Sequence, residues 1–589
     1  MNIDLRANPF FLTEEDCDWV HETIAAMNDE EKVGQLFFQL TSSQKEEDLI
    51  ELIQTYHLGG CRYNPAPARE VWKQNRILQE NSKIPLLIAC NTESGGDGAC
   101  TDGTYIGNGM KIGATGNHDY AEDMGRMGNA EAAAIGCNMA FAPVCDIYYN
   151  PMNTEISTRA FSNDPEMVKK CSVEYVRGAH QNTDFACVAK HFPGNGVDYR
   201  DAHLSNHVND FSPKHWDETY GMVYKELIEN GVEGIMGGHI MLPEYVRELA
   251  PELPEEEVWM PATLNKTLMT TLLRDKLGFQ GVLVNDASHM VAMTNQMTRK
   301  EMLPRAINAG CDMFLFFNDP QEDFRTMLTA YQRGVISEER MTEALTRILG
   351  IKARLQLHKK SAAEMVPEKD TLDRVLGNEE FKKKQSEISE KSLTLVKYKD
   401  KDVLPISPEK YKKVMIVHIK GHETGMVELL KLCGMEGKNP AETVKQKLCE
   451  RGYDAYVYES PLDQMKQKAL KGEKPDLNIY FAGKNAISEF REQADLVITL
   501  CDVMAGRPSF GMSKGGGEIP WYVFEVPVIA VGCGQPTMLS DIPQVRTYIN
   551  IYDAKENTLE KLIEALSSGA DAFVGKDPID SFCGLQDTK

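Results

Sequence analysis

Residues Phe185–His203 read F-A-C-V-A-K-H-F-P-G-N-G-V-D-Y-R-D-A-H. The apolar run Phe185–Val188 predicts a buried strand. Pro193, Gly194 and Gly196 then force a turn. Beyond it, Asp201 and His203 stand two residues apart. A carboxylate that close to an imidazole can fix the ring's tautomer and hold its proton, as a general acid/base requires. Taken alone, the pair also reads as a surface loop with an incidental Asp-x-His.

Working outward, the same strand-then-loop unit recurs. Apolar strand candidates fall near Val33–Gln39, Gly59–Tyr63, Pro85–Cys90, Met139–Val144, Phe185–His191, Gly234–Ile240, Gly281–Asn285 and Met313–Phe317. Helical patterns lie between several of them, at Glu122–Ala134, Pro165–His180, His215–Glu229 and Thr263–Leu277. Alternation of this kind predicts an α/β fold, with a (β/α)8 TIM-type barrel over residues 1–355. A doubly wound open sheet is the alternative. No Gly-rich dinucleotide turn follows the first strand, which favours the barrel.

Barrels of this kind place their chemistry at the C-terminal strand ends. Asn91 closes the third strand, Lys190 and His191 the fifth, His239 the sixth and Asp286 the seventh, and Arg159 lies in the loop after the fourth. Polar groups gathered at one rim suit a sugar pocket. Each also has a plainer reading. A strand-closing Asp often caps the next helix, Arg159 reads equally as an ion-pair partner, and His239 reads better as a satisfied core histidine.

With 589 residues the chain is too long for one ordinary domain. Its formal net charge of −24 argues against nucleic acid and anionic membrane surfaces as partners, since both need basic patches. An acidic surface suits neutral or cationic small molecules as partners, to a monomer or homodimer. The opening M-N-I-D-L-R-A-N-P-F-F lacks a signal-peptide pattern, and no run reaches the ~18 apolar residues of a membrane span. Fourteen scattered cysteines, many in apolar segments, suit reduced thiols in a cytoplasmic protein. No Cys-x-x-Cys pair or helical His spacing marks a metal, so no metal or cofactor is expected.

Residues 356–392 are charged and helical in pattern, and read as a helical connector. Strand candidates at 413–419, 456–458, 496–500, 528–532 and 548–552, with helices such as Pro440–Arg451 and Leu559–Ser567, then predict an αβα sandwich over residues 393–589. Its Lys514-G-G-G-E lacks phosphate-loop spacing and reads as a turn.

The segment Lys190–His203 resembles the signature of family 3 glycoside hydrolases of the bacterial β-N-acetylglucosaminidase (β-hexosaminidase) branch, roughly K-H-(F/I)-P-G-H-G-x-x-x-x-D-(S/T)-H. Asn195 replaces a His of that pattern, and Ala202 a Ser or Thr. Glu30-E-K-V-G-Q-L, Asn138-M-A-F-A-P-V-C-D, Arg159-A-F-S, Pro261-A-T-L, Leu277-G-F-Q-G-V-L-V-N-D and Ala309-G-C-D resemble further family motifs, in the family's order. The resemblance implies Asp286 as nucleophile and Asp201–His203 as the acid/base dyad. It also implies Arg159, Lys190 and His191 as sugar-holding residues. Asn91 falls where the family has an Asp on distal hydroxyls. An amide there still hydrogen-bonds, but carries no charge.

The implied reaction is retaining exo-hydrolysis of a terminal β-linked N-acetylglucosamine through a glycosyl-Asp286 intermediate. Since His203 stands in for one of two carboxylates and adds no repelling charge, phosphate is an alternative acceptor. That would make the chain a phosphorylase of the same sugars. A non-catalytic sugar-binding protein is the other alternative, motivated by Asn91 and Asn195.

Overall fold

The computed structural model describes residues 3–41, 45–64, 66–182, 185–421, 437–459, 461–474, 487–503 and 520–583. The chain divides into two compact units. One comprises Met1–Gly109, His118–Asn153 and Ala160–Lys384, the other Met110–Asn117, Thr154–Arg159 and Gln385–Lys589. The division at Lys384 falls inside the charged helical stretch that precedes the second sheet.

The first unit is a barrel of eight parallel strands: β1 (Phe37–Thr41), β2 (Gly60–Tyr63), β3 (Leu87–Cys90), β4 (Met139–Ala140), β5 (Ala186–Phe192), β6 (Gly234–Gly237), β7 (Val282–Asn285) and β8 (Phe314–Leu315). The sheet order is β8-β1-β2-β3-β4-β5-β6-β7, and a parallel bridge between Val284 and Met313 brings its two ends together. Strands β3 to β8 are buried at every position, which is why they read as continuous apolar runs rather than alternating ones.

Two strand edges differ most from the sequence reading. Val33–Gln35 are helical, because a capping box nucleates the helix Asp29–Gln35. Asn28 Oδ1 takes the Glu31 N–H at 2.8 Å, and Glu31 Oε2 takes the Asn28 N–H at 3.1 Å. The first strand therefore starts at Phe37. Strand β4 ends at Ala140, since Pro143 has no N–H to give. Pairing resumes at a Val144–Lys190 bridge.

The second unit holds a six-stranded sheet: β9 (Thr394–Tyr398), β10 (Lys413–Lys420), β11 (Asp454–Val457), β12 (Leu496–Asp502), β13 (Val528–Gly532) and β14 (Thr547–Asn550). Its order is β9-β14-β13-β12-β10-β11, with only β9 antiparallel. Both faces are covered. Val414 and Ile416 of β10 join a core with the helices Pro440–Glu450 and Glu556–Ser568, while Met415, Val417 and Ile419 join a core on the other face. Lys111 ties its segment into this unit, its Nζ lying 2.7 Å from Asp553 Oδ2 and 3.0 Å from Ser389 Oγ. The Lys514-G-G-G-E turn lies outside the described residues. Among the described residues, no helix is long and apolar enough to cross a membrane.

Candidate active site

The turn after β5 is braced from below. Gly194 and Gly196 take φ of +121° and +109°, the left-handed region that favours glycine. A Cβ on Gly196 would stand 1.9 Å from the Ile147 carbonyl oxygen, and one on Gly194 would run into the Tyr220 ring. Tyr220 Oη donates to the Asn195 carbonyl at 2.6 Å, and Trp216 Nε1 to the Pro193 carbonyl at 2.7 Å. Asn195 is itself part of the brace. Its Oδ1 takes Asn153 Nδ2 at 2.9 Å, while its buried Nδ2 has no partner among the described residues.

Asp146, fully buried, organises this turn. Its Oδ1 takes the Asn195 N–H at 2.7 Å and the His191 N–H at 3.2 Å. Its Oδ2 lies 2.7 Å from His191 Nδ1. With Nδ1–H given to Asp146, His191 turns Nε2 toward Asp286, 3.9 Å from Oδ2. The preceding residue, Lys190, is buried with its Nζ 2.5 Å from Glu93 Oε1.

Asp286 follows β7. Its backbone N–H is held by the Gly237 carbonyl at 2.8 Å, and its Oδ1 takes the Ala287 N–H at 2.7 Å. Burial pushes its carboxyl up. Nearby His191, His239, the Ala287 N–H and Lys190 outweigh that and hold it at about 2. An anionic carboxylate at a barrel mouth is what a nucleophile needs. Arg62 at the end of β2 adds a cation here. Burial draws it below its ordinary range, against the pull of Glu93 and Asp286.

Asp201 and His203 sit on the loop that leaves β5. Asp201 Oδ1 takes both the backbone N–H of His203 at 2.8 Å and its Nδ1 at 2.7 Å. Burial raises the Asp201 carboxyl, and the bonds to His203 more than reverse this and lower it. The Nδ1 side of the His203 ring is thereby fixed. The loop is joined to the segment after β7. Ala292 N–H bonds the Ala202 carbonyl at 3.1 Å, Val291 N–H bonds the His203 carbonyl at 3.4 Å, and Ala202 is buried with Met290 and Ala292.

The structure therefore brings Lys190, His191 and Asp286 together at the strand ends, and joins the Asp201–His203 loop to the Asp286 segment. Asn91 directly follows β3, with a buried Oδ1 that has no partner among the described residues. Arg159 closes the short turn Ser157–Arg159, with Nη1 3.2 Å from the Glu155 carbonyl. That segment belongs to the second unit. His239 is a satisfied core histidine, with Nδ1 2.8 Å from Thr263 Oγ1 and Nε2 3.1 Å from the Ala287 carbonyl.

Four residues around this site were not assigned roles from sequence: Arg62, Glu93, Asp146 and His289. Asp146 closes the Asn138–Asp146 motif stretch, Glu93 lies two residues past Asn91 and His289 three past Asp286, so their proximity to the assigned residues was the available signal.

A parallel barrel with buried carboxylates and imidazoles at its strand ends is an enzyme's arrangement. The family model for the glycosyl hydrolase family 3 N terminal domain matches residues 29–351. A Cellulomonas fimi protein described as a beta-N-acetylglucosaminidase/beta-glucosidase is 36% identical over 591 residues, covering 100% of both chains. A solved structure described as beta-glucoside phosphorylase BglX superimposes with a TM-score of 0.88 at 33% identity, covering 99% of each chain. A family 3 beta-N-acetylglucosaminidase from Paenibacillus sp. str. FPU-7 gives a TM-score of 0.76 at 25% identity, covering 94% of this chain and 99% of that one. The chain belongs to glycosyl hydrolase family 3.

Proposed function

We propose that the chain cleaves terminal β-linked N-acetylglucosamine by a retaining mechanism. Asp286 is the nucleophile, and His203, oriented by Asp201, is the acid/base. The observation that carries this is the partly buried Asp286 carboxylate, held ionised at about 2 and facing His191 Nε2. Lys190, His191, Asn91 and Arg159 are the proposed sugar-holding groups. The Asn91 Oδ1, without a partner among the described residues, can accept from a sugar hydroxyl. The mostly buried, unpaired cysteines support a cytoplasmic enzyme.

In the first step an Asp286 oxygen bonds to the anomeric carbon as the glycosidic bond breaks. The leaving oxygen takes its proton from His203 Nε2. In the second step water attacks the same carbon, gives its proton to neutral His203, and Asp286 leaves as a carboxylate. Trapping with a 2-fluoro glycoside tests the assignment. A label found on Asp286 supports it, and a label on another residue overturns it.

Phosphate in place of water is a second reading. It is favoured by the neutral base and by the likeness over 99% of the chain to a structure described as a phosphorylase. Phosphorus NMR of turnover mixtures, looking for a sugar 1-phosphate, separates the two acceptors.

A further inference from the structure

The barrel has a second charged centre, at the end of β7 opposite Asp286. Asp286 follows that strand, whereas Gly281 precedes it, and the Gly281 carbonyl accepts Arg274 Nη1 at 3.1 Å. Asp312, which precedes β8, accepts Arg274 Nη2 and Arg340 Nη2 at 2.7 Å each. Arg347 Nη1 stands 3.4 Å from the same carboxylate. Arg274 and Arg347 are buried. One carboxylate therefore serves three guanidinium groups. Burial draws Arg274 down to about 9, with Asp312 opposing and Arg347 and Arg340 adding their repulsion.

A cavity of about 430 Å³ lies against these groups, and Lys266, Arg274, Arg340 and Arg347 all line it. Its size is within the ~300–1,000 Å³ of small-molecule sites. Two guanidinium N–H groups beside it lack an acceptor. Buried Arg347 Nε has no hydrogen-bond partner among the described residues. Nor has buried Arg340 Nη1, with Glu343 Oε2 standing off at 3.6 Å. Lys266 is exposed and in no ion pair among the described residues. Glu339 and Glu343 also line the cavity, and even so the cations outnumber the carboxylates, in a chain whose net charge is −24.

We propose that this cavity binds a phosphoryl group, either as inorganic phosphate or as the phosphate monoester of a small molecule. A buried guanidinium N–H without an acceptor is costly, and an anion that reaches it removes the cost. The donors come from two helices. Lys266 and Arg274 belong to the start and end of Thr267–Lys276, while Arg340 and Arg347 belong to Glu338–Arg354. A tetrahedral oxyanion has acceptor oxygens in enough directions to meet both helices at once. A planar carboxylate has not. The bound anion would tie the helix before β7 to the last helix of the barrel, so it should stabilise the folded chain. Nothing in this depends on which acceptor the reacting centre uses.

The test uses the full chain with sodium phosphate and, separately, glucose 6-phosphate, at an ionic strength fixed with sodium chloride. Titration calorimetry reports binding, and melting reports the stabilisation. Wild type should bind phosphate and melt higher in it than in chloride alone. Lys266→Glu and Arg340→Gln should each weaken binding about tenfold or more, and Arg340→Lys should recover part of the loss. Turnover of 2,4-dinitrophenyl N-acetyl-β-glucosaminide by Lys266→Glu should stay within about twofold of wild type, which separates this cavity from phosphate held at the reacting centre. Lys266 is exposed, so Lys266→Glu carries the test even where Arg340→Gln does not fold. Tighter binding of glucose 6-phosphate assigns the occupant as a monoester, and tighter binding of inorganic phosphate as the free ion. A wild type that responds to phosphate no more than to chloride overturns the inference. So does Lys266→Glu that binds both phosphates as tightly as wild type.

Discussion

Asp146 holds His191 at two places, the ring through Nδ1 at 2.7 Å and the backbone N–H at 3.2 Å. The ring is thereby fixed in tautomer and direction, and its other nitrogen faces Asp286. A histidine held in this way keeps its ring in one place beside the proposed nucleophile.

Asp146→Asn should therefore act through Asp286. As the proposed nucleophile, Asp286 attacks only when ionised, and among the groups holding its carboxyl at about 2 against burial, His191 is the strongest. Weakening the His191 charge lets that value rise, so activity should fail at a higher pH on the acid side. The acid limb of kcat/KM, followed from about pH 3 to 6 with melting checked in parallel, should move up. An unmoved limb would remove His191 as the group that sets the Asp286 charge.

His203→Ala should split the two half-reactions. Alkyl glycosides need protonation of the leaving oxygen and should lose ~10²–10⁴-fold in turnover. Dinitrophenyl glycosides should still form the glycosyl-enzyme, which accumulates and which azide discharges. Asp201→Ala should fall between wild type and His203→Ala, since it removes the orienting partner and not the proton carrier. Equal losses on both substrate kinds, with no azide effect, would assign the acid/base role elsewhere.

Ala202 pins the dyad loop to the segment after β7, buried beside Met290 and Ala292. Ala202→Lys should free the loop while leaving the barrel intact. Turnover of alkyl glycosides should fall at least about tenfold, with global stability within about 0.5 kcal/mol of wild type, since the changed contacts are confined to two loops. A large drop in melting temperature would make the contact a part of the fold.

Lys352 is fully buried, its Nζ 2.6 Å from Gln35 Oε1, and burial, opposed by Cys61, pushes its amine down to about 7. Its folded value is below its unfolded value of roughly 10.4. Between those values the unfolded chain holds more protons, so this group makes stability rise with pH over that window. Lys352→Met should flatten the rise and raise stability near neutral pH by on the order of 2–4 kcal/mol. Unfolding curves from about pH 7 to 10 check it, and an unchanged slope would count against a neutral Lys352.

Asp312 serves three guanidinium groups, with Arg274 and Arg340 each 2.7 Å away and Arg347 3.4 Å away. Asp312→Asn leaves buried cations without a counter-charge and should cost about 3–5 kcal/mol. Arg347→Met removes one cation and leaves two, so it should cost less. Denaturant unfolding of both variants tests the order, and a milder Asp312→Asn would break it.

The barrel was legible because its strands are buried on both faces and read as apolar runs ending in polar residues. The same property blurred the edge at Val33–Gln35, where apolar residues of a capped helix run straight into the first strand. The edge strand Thr394–Tyr398 went unread because T-L-V-K-Y carries too little apolar residue to stand out. Asp286, Lys190, His191 and Asn91 were legible from their places at strand ends. The hold of Asp146 on His191 spans 45 positions, and the Lys190–Glu93 pair and the reach of Arg62 to Asp286 also join separate strand ends. No local pattern carries contacts of that kind. His289 was hidden differently, since a histidine between two inward residues resembles any surface position.

The proposed nucleophile and proton carrier stand on parts of the chain with unequal freedom to change. Asp286 closes a wall strand whose neighbours are packed on every side. His203 hangs on a loop that leaves β5 at Phe192 and is held by the buried Ala202, by backbone bonds and by side chains such as Asp198, whose Oδ2 takes the Val208 N–H at 2.9 Å. On the proposed roles, exchanges in that loop would alter which molecule receives the sugar without recutting the wall, so donor choice and acceptor choice would be separately heritable.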